Sequence, residues 1–295
     1  MLKILRTIIF GLLLFRAVSL NAQQSRVDAA YTFLQKGDLD SAKANIDLAI
    51  LHPETQLDGQ TWYVRGFVFK TIYNQNEKSN KESVSRLEAL ISFKKSISID
   101  TSYENILENI KNVKYLATTL YNDAAASLDT IDYKIAIKNF DIFRAYYLLV
   151  DPSTDNFKQK EIDFSNAIAT VYTQIYEGDR QGKADFLNLA KASYNKALTF
   201  DPNNINANYN MGILYYNQAV NLIRQSDYDL DIVALNDVQD NSINLFKASL
   251  PFMEKAYSLD PNKRETLLGL SGIYFSLNEK EKSNEFKQKL EQIEK

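Results

Sequence analysis

The 295-residue chain has no cysteine and a single histidine, His52. The first absence excludes disulfides, thiolate chemistry, cysteine metal sites and lipid attachment to an N-terminal cysteine. The second removes the parts for catalytic triads, histidine metal clusters and imidazole acid–base pairs. His52 itself stands beside Pro53, where it reads as a residue meeting the dipole at a helix C-terminus. A basic excess is also missing: 34 Lys and Arg stand against 37 Asp and Glu. A surface that tracks phosphates needs a basic face, so no nucleic-acid partner is expected. Beyond the first 22 residues no stretch is long and apolar enough to cross a bilayer, which takes about 20 apolar residues.

Apolar residues are plentiful by contrast, at 45%, with 18 Tyr and 16 Phe among them. A chain of this composition can bury a sizeable core and folds. Residues 1–22 stand apart. Lys3 and Arg6 precede the apolar run Ile8 to Phe15, and "AVSLNA" leads to Gln23. A basic start, a short apolar stretch and a small exit residue describe a secretory signal peptide cleaved after Ala22, although Arg16 interrupts it and Leu20 is bulky. The mature chain, residues 23–295, loses Lys3, Arg6 and Arg16 and carries 31 basic against 37 acidic residues, a net charge of −6. It is expected in the periplasm or at the outer membrane, with no integral span after cleavage.

A cadence recurs through the mature chain. Ala190 and Ala197 lie seven residues apart and Pro202 follows; Ala42, Ala49 and Pro53 repeat the pattern, as do Ala89, Ser96 and Thr101, and Ser249, Ala256 and Pro261. A looser copy has Ala136, Phe140 and Pro152, and Ser283 with Leu290 closes the chain. Seven residues are close to two helical turns, so each small pair lies on one face and admits a neighbouring helix. Proline then falls where the helix stops. A second pattern precedes several copies, a small residue between bulky ones: Trp62, Gly66 and Phe69; Tyr121, Ala125 and Leu128; Met211, Gly212 and Tyr215; Leu267, Leu270, Ser271 and Tyr274.

Together the two patterns describe a repeated helical hairpin, and here the chain resembles the tetratricopeptide repeat (TPR) family. The residues that carry the resemblance are Trp62, Gly66, Phe69, Met211, Gly212 and Tyr215 on first helices, and Ala190, Ala197 and Pro202 on a second helix. It implies an all-α fold, a right-handed α-solenoid of about six degenerate hairpins over residues 23–295. The period departs from the family's, which is about 34 residues. Pro53, Thr101, Pro152, Pro202 and Pro261 are separated by 48, 51, 50 and 59. Extra residues must lie inside the units, in "KTIYNQNEKSNKES" after Phe69 and "SDYDLDIVALNDVQDN" after Gln225, both read as helix extensions joined by loops. Apolar positions 106, 110, 113, 117, 120, 124 and 128 mark one long amphipathic helix. Pro251 is expected to kink or open its helix.

Chemistry-bearing motifs are few. "GDRQGKA", from Gly178 to Ala184, has three residues between its glycines where a phosphate loop needs four, and Ala184 where a metal-binding hydroxyl belongs. Asp227, Asp229 and Asp231 alternate like the start of a calcium loop, but Ile232 replaces its glycine and Val238 its closing Glu. Weak opportunistic calcium binding or a plain solvated insertion both fit. No catalytic residue, resident metal or cofactor is expected.

A helical solenoid offers a concave surface lined by first helices. Positions spaced around each small residue should face it: Val27, Tyr31, Leu34 and Gln35; Tyr63, Phe67, Lys70 and Thr71; Tyr209, Ile213, Tyr216 and Asn217; Leu268, Gly272, Phe275 and Ser276. Aromatics of this kind anchor partners, and Tyr63, Phe67, Lys70, Tyr209, Tyr216 and Asn217 are the candidate binding residues. Either the groove is open or the insertions cover it and the rings are internal packing. Only Lys70 is cationic, which does not match the family's basic clamp for a terminal carboxylate, so an apolar or amphipathic segment of another protein is the natural guest. The resemblance implies a non-enzymatic interaction scaffold. The alternatives are a glycan- or peptide-capturing protein of an envelope uptake system and a hydrolase with an unrecognised carboxylate site.

Overall fold

Ala42, Ala49, Ala89, Ser96, Ala136, Ala190, Ala197, Ser249 and Ala256 are all fully buried. Each pair on a helix faces a partner helix that approaches where a longer side chain would stand. In the computed structural model, residues 24–100, 103–152, 155–226 and 231–294 are described. Residues 1–22, read as an export signal, and the carboxylates Asp227 and Asp229 lie outside them. Among the described residues there are twelve α-helices and no strand. They are α1 (24–36), α2 (Leu39–Ala49), α3 (Gly59–Ile72), α4 (Val84–Ile99), α5 (Tyr103–Ala125) and α6 (Tyr133–Val150), then α7 (Asp155–Gly178), α8 (Ala184–Phe200), α9 (Ile205–Gln225), α10 (Ile232–Leu259), α11 (Arg264–Ser276) and α12 (Lys280–Ile293). Helix starts follow local chemistry: Asp38, Asp58, Ser83, Asn204 and Asp231 each accept a hydrogen bond from a backbone N–H in the following turn.

Two compact units result, one reaching Ser127 and taking in Lys134–Ser153, the other comprising Leu128–Tyr133 and Thr154–Lys295. In the first, Val27 and Ala30 of α1 pack with Ala42, Ile46 and Ala49 of α2 and Val64 and Val68 of α3. Farther along, Tyr121 of α5 meets Phe140 and Phe143 of α6 at 6.1 and 5.3 Å between ring centroids. Val113, Ala117, Leu120 and Ala124 form the buried stripe of α5. In the second unit α7 pairs with α8 through Tyr194 and Thr170, 3.2 Å apart, and through Lys196 on the buried Glu161 at 2.8 Å. Tyr274 of α11 stacks on Phe286 of α12 at 5.6 Å.

Serines that stand in for the spaced alanines do more than fit. Ser96 donates to the Gly59 carbonyl at 2.9 Å, Ser249 to that of Gly212 at 2.7 Å and Ser283 to that of Ser271 at 2.9 Å. Each bond clips the second helix of a hairpin to its first. The small residues of first helices behave as spaced: a Cβ on Gly66 would lie 2.5 Å from the Phe93 ring, and one on Gly212 would lie 2.4 Å from Met253 Cγ.

Local structure departs from or refines the sequence pattern at three positions. Ala125 is exposed and the neighbouring Ala124 takes the buried position, because α5 ends at Ala125 and its apolar stripe runs through 113, 117, 120 and 124. Of the two outcomes expected at Pro251, a kink or an opening, the helix does not open: α10 continues through it to Leu259. Pro251 and Lys247 are both exposed, so the Lys247 carbonyl that loses its partner faces water. Val27, at 2% exposure, belongs to the core and also lines the cavity between α1 and α3, as its spacing implies. The insertion after Phe69 continues α3 as a π-helical turn, Tyr73–Glu77, before a short loop to α4. Asp231 caps α10 by accepting from Ala234 N–H at 2.8 Å.

Candidate partner-binding faces

In the N-terminal unit α1 and α3 run side by side because Val27 and Val64, each 2% exposed, close the space between them. Above them lies a cavity of about 320 Å³ whose lining includes Tyr31, Leu34, Tyr63 and Phe67, with Asp28 and Gln60 at its polar rim. The Tyr63 and Phe67 rings stand 4.9 Å apart, and Phe67 rests edge-on against Phe93 at 5.5 Å. Tyr31 is 48% exposed and carries the outer edge.

Lys70 does not join this lining. Its Nζ donates to Asn112 Oδ1 at 2.5 Å and lies 5.3 Å from both the Phe67 and Tyr115 rings. Burial lowers its pKa, with the charge of Glu108 acting in the opposite direction. The one cation assigned to the groove is thus tied to α5, since Asn112 is buried and uses this amine to satisfy its carbonyl. Thr71 likewise donates to the Phe67 carbonyl within its own helix.

A larger face forms in the C-terminal unit between α9 and α11. Its cavity of about 580 Å³ is lined by Tyr209, Ile213, Tyr216 and Asn217 from α9 and by Leu268, Gly272, Phe275 and Ser276 from α11. Gly272 leaves room for the Tyr216 hydroxyl: a Cβ would stand 3.0 Å from Tyr216 Oη, a few tenths of an ångström too close. Tyr209 and Tyr216 pack partly against the unit's core, Tyr216 meeting Phe246 at 5.5 Å, while Leu268 and Phe275 are 53% and 66% exposed. The rings are therefore both packing and surface. Lys263 Nζ lies 4.6 Å from the Tyr209 ring, and burial followed by the charge of Glu265 raises the Tyr209 pKa.

Glu265 and Lys287 supply the charged groups of the second cavity. Counting from the small residue of each first helix misses both: Glu265 sits in the first turn of α11, outside the counted positions, and Lys287 projects from a second helix. Asp28 and Gln60 are missed for the same reason in the first cavity. Chemically, the two faces are apolar anchors inside a sparse polar rim, suited to holding an apolar or amphipathic segment. Among the described residues no group of three or more His, Cys, Asp or Glu is placed to hold a metal ion, and no helix is long and apolar enough to cross a membrane.

The family model for the TPR repeat matches residues 187–218, which run from α8 into α9 and contain Ala190, Ala197, Pro202, Met211, Gly212 and Tyr215. No curated protein matches the chain. Among solved structures, MamA is 12% identical, with 78% of this chain and 92% of that one covered and a TM-score of 0.35. PilF of Pseudomonas aeruginosa is 12% identical with 92% of each chain covered and a TM-score of 0.33. PilW, a type IV pilus biogenesis factor, is 16% identical with 93% and 99% covered and a TM-score of 0.28. The chain carries a TPR repeat at residues 187–218, set among further helical hairpins of the same small-residue build.

Proposed function

We propose that the protein is a non-enzymatic scaffold or adaptor of the bacterial cell envelope, exported with loss of residues 1–22, and that it holds a segment of another protein on the aromatic faces of its first helices. The observation that carries this reading is the cavity between α9 and α11, where exposed Leu268 and Phe275 stand opposite half-buried Tyr209 and Tyr216. Desolvated aromatics dominate interface energies, and repeated hairpins present such faces on rigid helices. The acidic balance of the chain favours a guest with basic flanks.

Replacing Tyr209 and Tyr216 together by Ala is expected to weaken capture of the partner by tens to hundreds of fold, at roughly 2 kcal/mol or more for each anchor that is desolvated. Lys247→Ala, on the exposed face of α10, should leave it unchanged. Thermal melts come first, because both rings also pack against the core. Folded double variants that retain full affinity for an envelope-protein partner would refute this assignment. Binding to a glycan array instead of a protein would favour the uptake reading, since exposed Tyr and Phe also stack on sugar rings.

A further inference from the structure

A third cavity lies away from the aromatic faces, among α4, α5 and α6 of the N-terminal unit, with a volume of about 120 Å³. Its walls are mostly apolar, from Leu87 and Leu90 of α4, Leu120 of α5 and Ile142 of α6. Leu90 and Leu120 are buried at the inner end, whereas Val84, 68% exposed, stands at the mouth. An apolar cavity of about 150 Å³ is enough for benzene, so this smaller one fits an aliphatic group of about four carbons.

One end of the cavity is different in kind. Arg86 lines it and is 1% exposed. The guanidinium donates through Nη1 to Asp123 at 2.5 Å and through Nη2 to the Lys81 carbonyl at 2.7 Å, but its Nε–H has no acceptor among the described residues. A buried donor left without an acceptor is costly and is an unusual feature in a settled core. Beside it, Ser83 caps the 16-residue α4, whose first turn adds partial positive charge. Lys81 and Lys138 stand on the rim, Lys81 donating to the Ala126 carbonyl at 3.2 Å and Lys138 paired with Glu82 at 2.7 Å. The Glu82 and Lys138 side chains are 48% and 58% exposed, so this pair can open to share the amine with another anion.

We propose that this cavity binds a short-chain aliphatic carboxylate. The alkyl group lies among Leu90, Leu120 and Ile142, the carboxylate accepts from Arg86 Nε–H at the N-terminal end of α4, and Lys138 supplies the counter-charge from the rim. The two halves of the site select together: a head without a tail leaves the apolar walls wet, and a tail with only a neutral hydroxyl gives the Arg86 Nε–H a weaker, uncharged acceptor.

The test is a titration of the intact, isotope-labelled protein with isovalerate, following the side-chain Nε–H resonance of Arg86 by NMR. A saturable shift is expected, with acetate and isoamyl alcohol each binding at least about tenfold more weakly. Lys138→Gln, at an exposed position, should weaken isovalerate about tenfold with an unchanged melting temperature, and Ile142→Phe should block the slot. The proposal is overturned if the Arg86 resonance does not move, if isoamyl alcohol binds as tightly as isovalerate, or if both folded variants bind at full affinity.

Discussion

Asp123→Ala is expected to destabilise the protein by about 3–5 kcal/mol, towards the lower figure because the Asp123 side chain is 24% exposed. Arg86 is almost wholly enclosed, and of the hydrogen bonds it makes among the described residues, the one to Asp123 is the one that meets an opposite charge. The others go to Tyr73 Oη at 3.3 Å, Thr119 Oγ1 at 3.4 Å and the Lys81 carbonyl at 2.7 Å, all neutral. A guanidinium cannot escape by losing its proton. Without Asp123 the charge stays buried and unpaired. Urea denaturation of Asp123→Ala measures the loss, and a change under about 1 kcal/mol would mean that water reaches Arg86 directly. The paired substitution Arg86→Met with Asp123→Leu should recover most of the stability, since a packed apolar pair commonly replaces a buried ion pair without loss.

The second large effect is expected at Gly212→Leu. Met253 of α10 is 0% exposed and wedges between two glycines: a Cβ on Gly212 would lie 2.4 Å from its Cγ, and one on Gly269 of α11 would lie 2.2 Å from its Cε. A flexible methionine usually yields to a new neighbour, but here it has no room on the opposite side. Overpacking should therefore cost roughly 1–3 kcal/mol, and the loss should spread through α9, α10 and α11, because stacked hairpins share their cores. A melting temperature equal to that of the wild type would show that α9 and α10 do not meet at Gly212.

Much of the hairpin pattern is legible in the sequence because it is written in side-chain size at helical spacing. The buried states of Ala42 and Ala49, Ala89 and Ser96, Ala190 and Ala197, and Ser249 and Ala256 follow from the seven-residue interval alone. Gly66 and Gly212 are legible for the same reason, each set among bulky residues and each receiving one bulky side chain from the second helix. The slip from Ala124 to Ala125 shows the limit of that signal: in "DAAAS" three alanines are equal by size, and only the stripe from 113 to 124 selects one.

Buried charge is the part that spacing does not announce. Arg65 is 7% exposed and bridges Asp47 of α2, at 3.1 Å, to Glu88 of α4, at 2.8 Å, while Arg86 reaches Asp123 of α5. Their partners are 18 to 37 residues away, so nothing local separates these arginines from solvated ones. Lys70 fails as a groove cation for a related reason, since its acceptor, Asn112, comes from another hairpin. The aromatic positions were legible as a face because they follow first-helix geometry, whereas Glu265 and Lys287 required knowing which neighbouring turns border that face.

The central claim is that the exposed rings between α9 and α11 hold a partner segment. A photoreactive phenylalanine analogue placed at Phe275, 66% exposed at the mouth of that cavity, tests it in the native host. Irradiation followed by mass spectrometry should give one dominant adduct with a contiguous segment of another envelope protein, and the same probe at exposed Pro251 should give none. An adduct from Pro251 with none from Phe275 would contradict the claim and move the binding surface to the second helices.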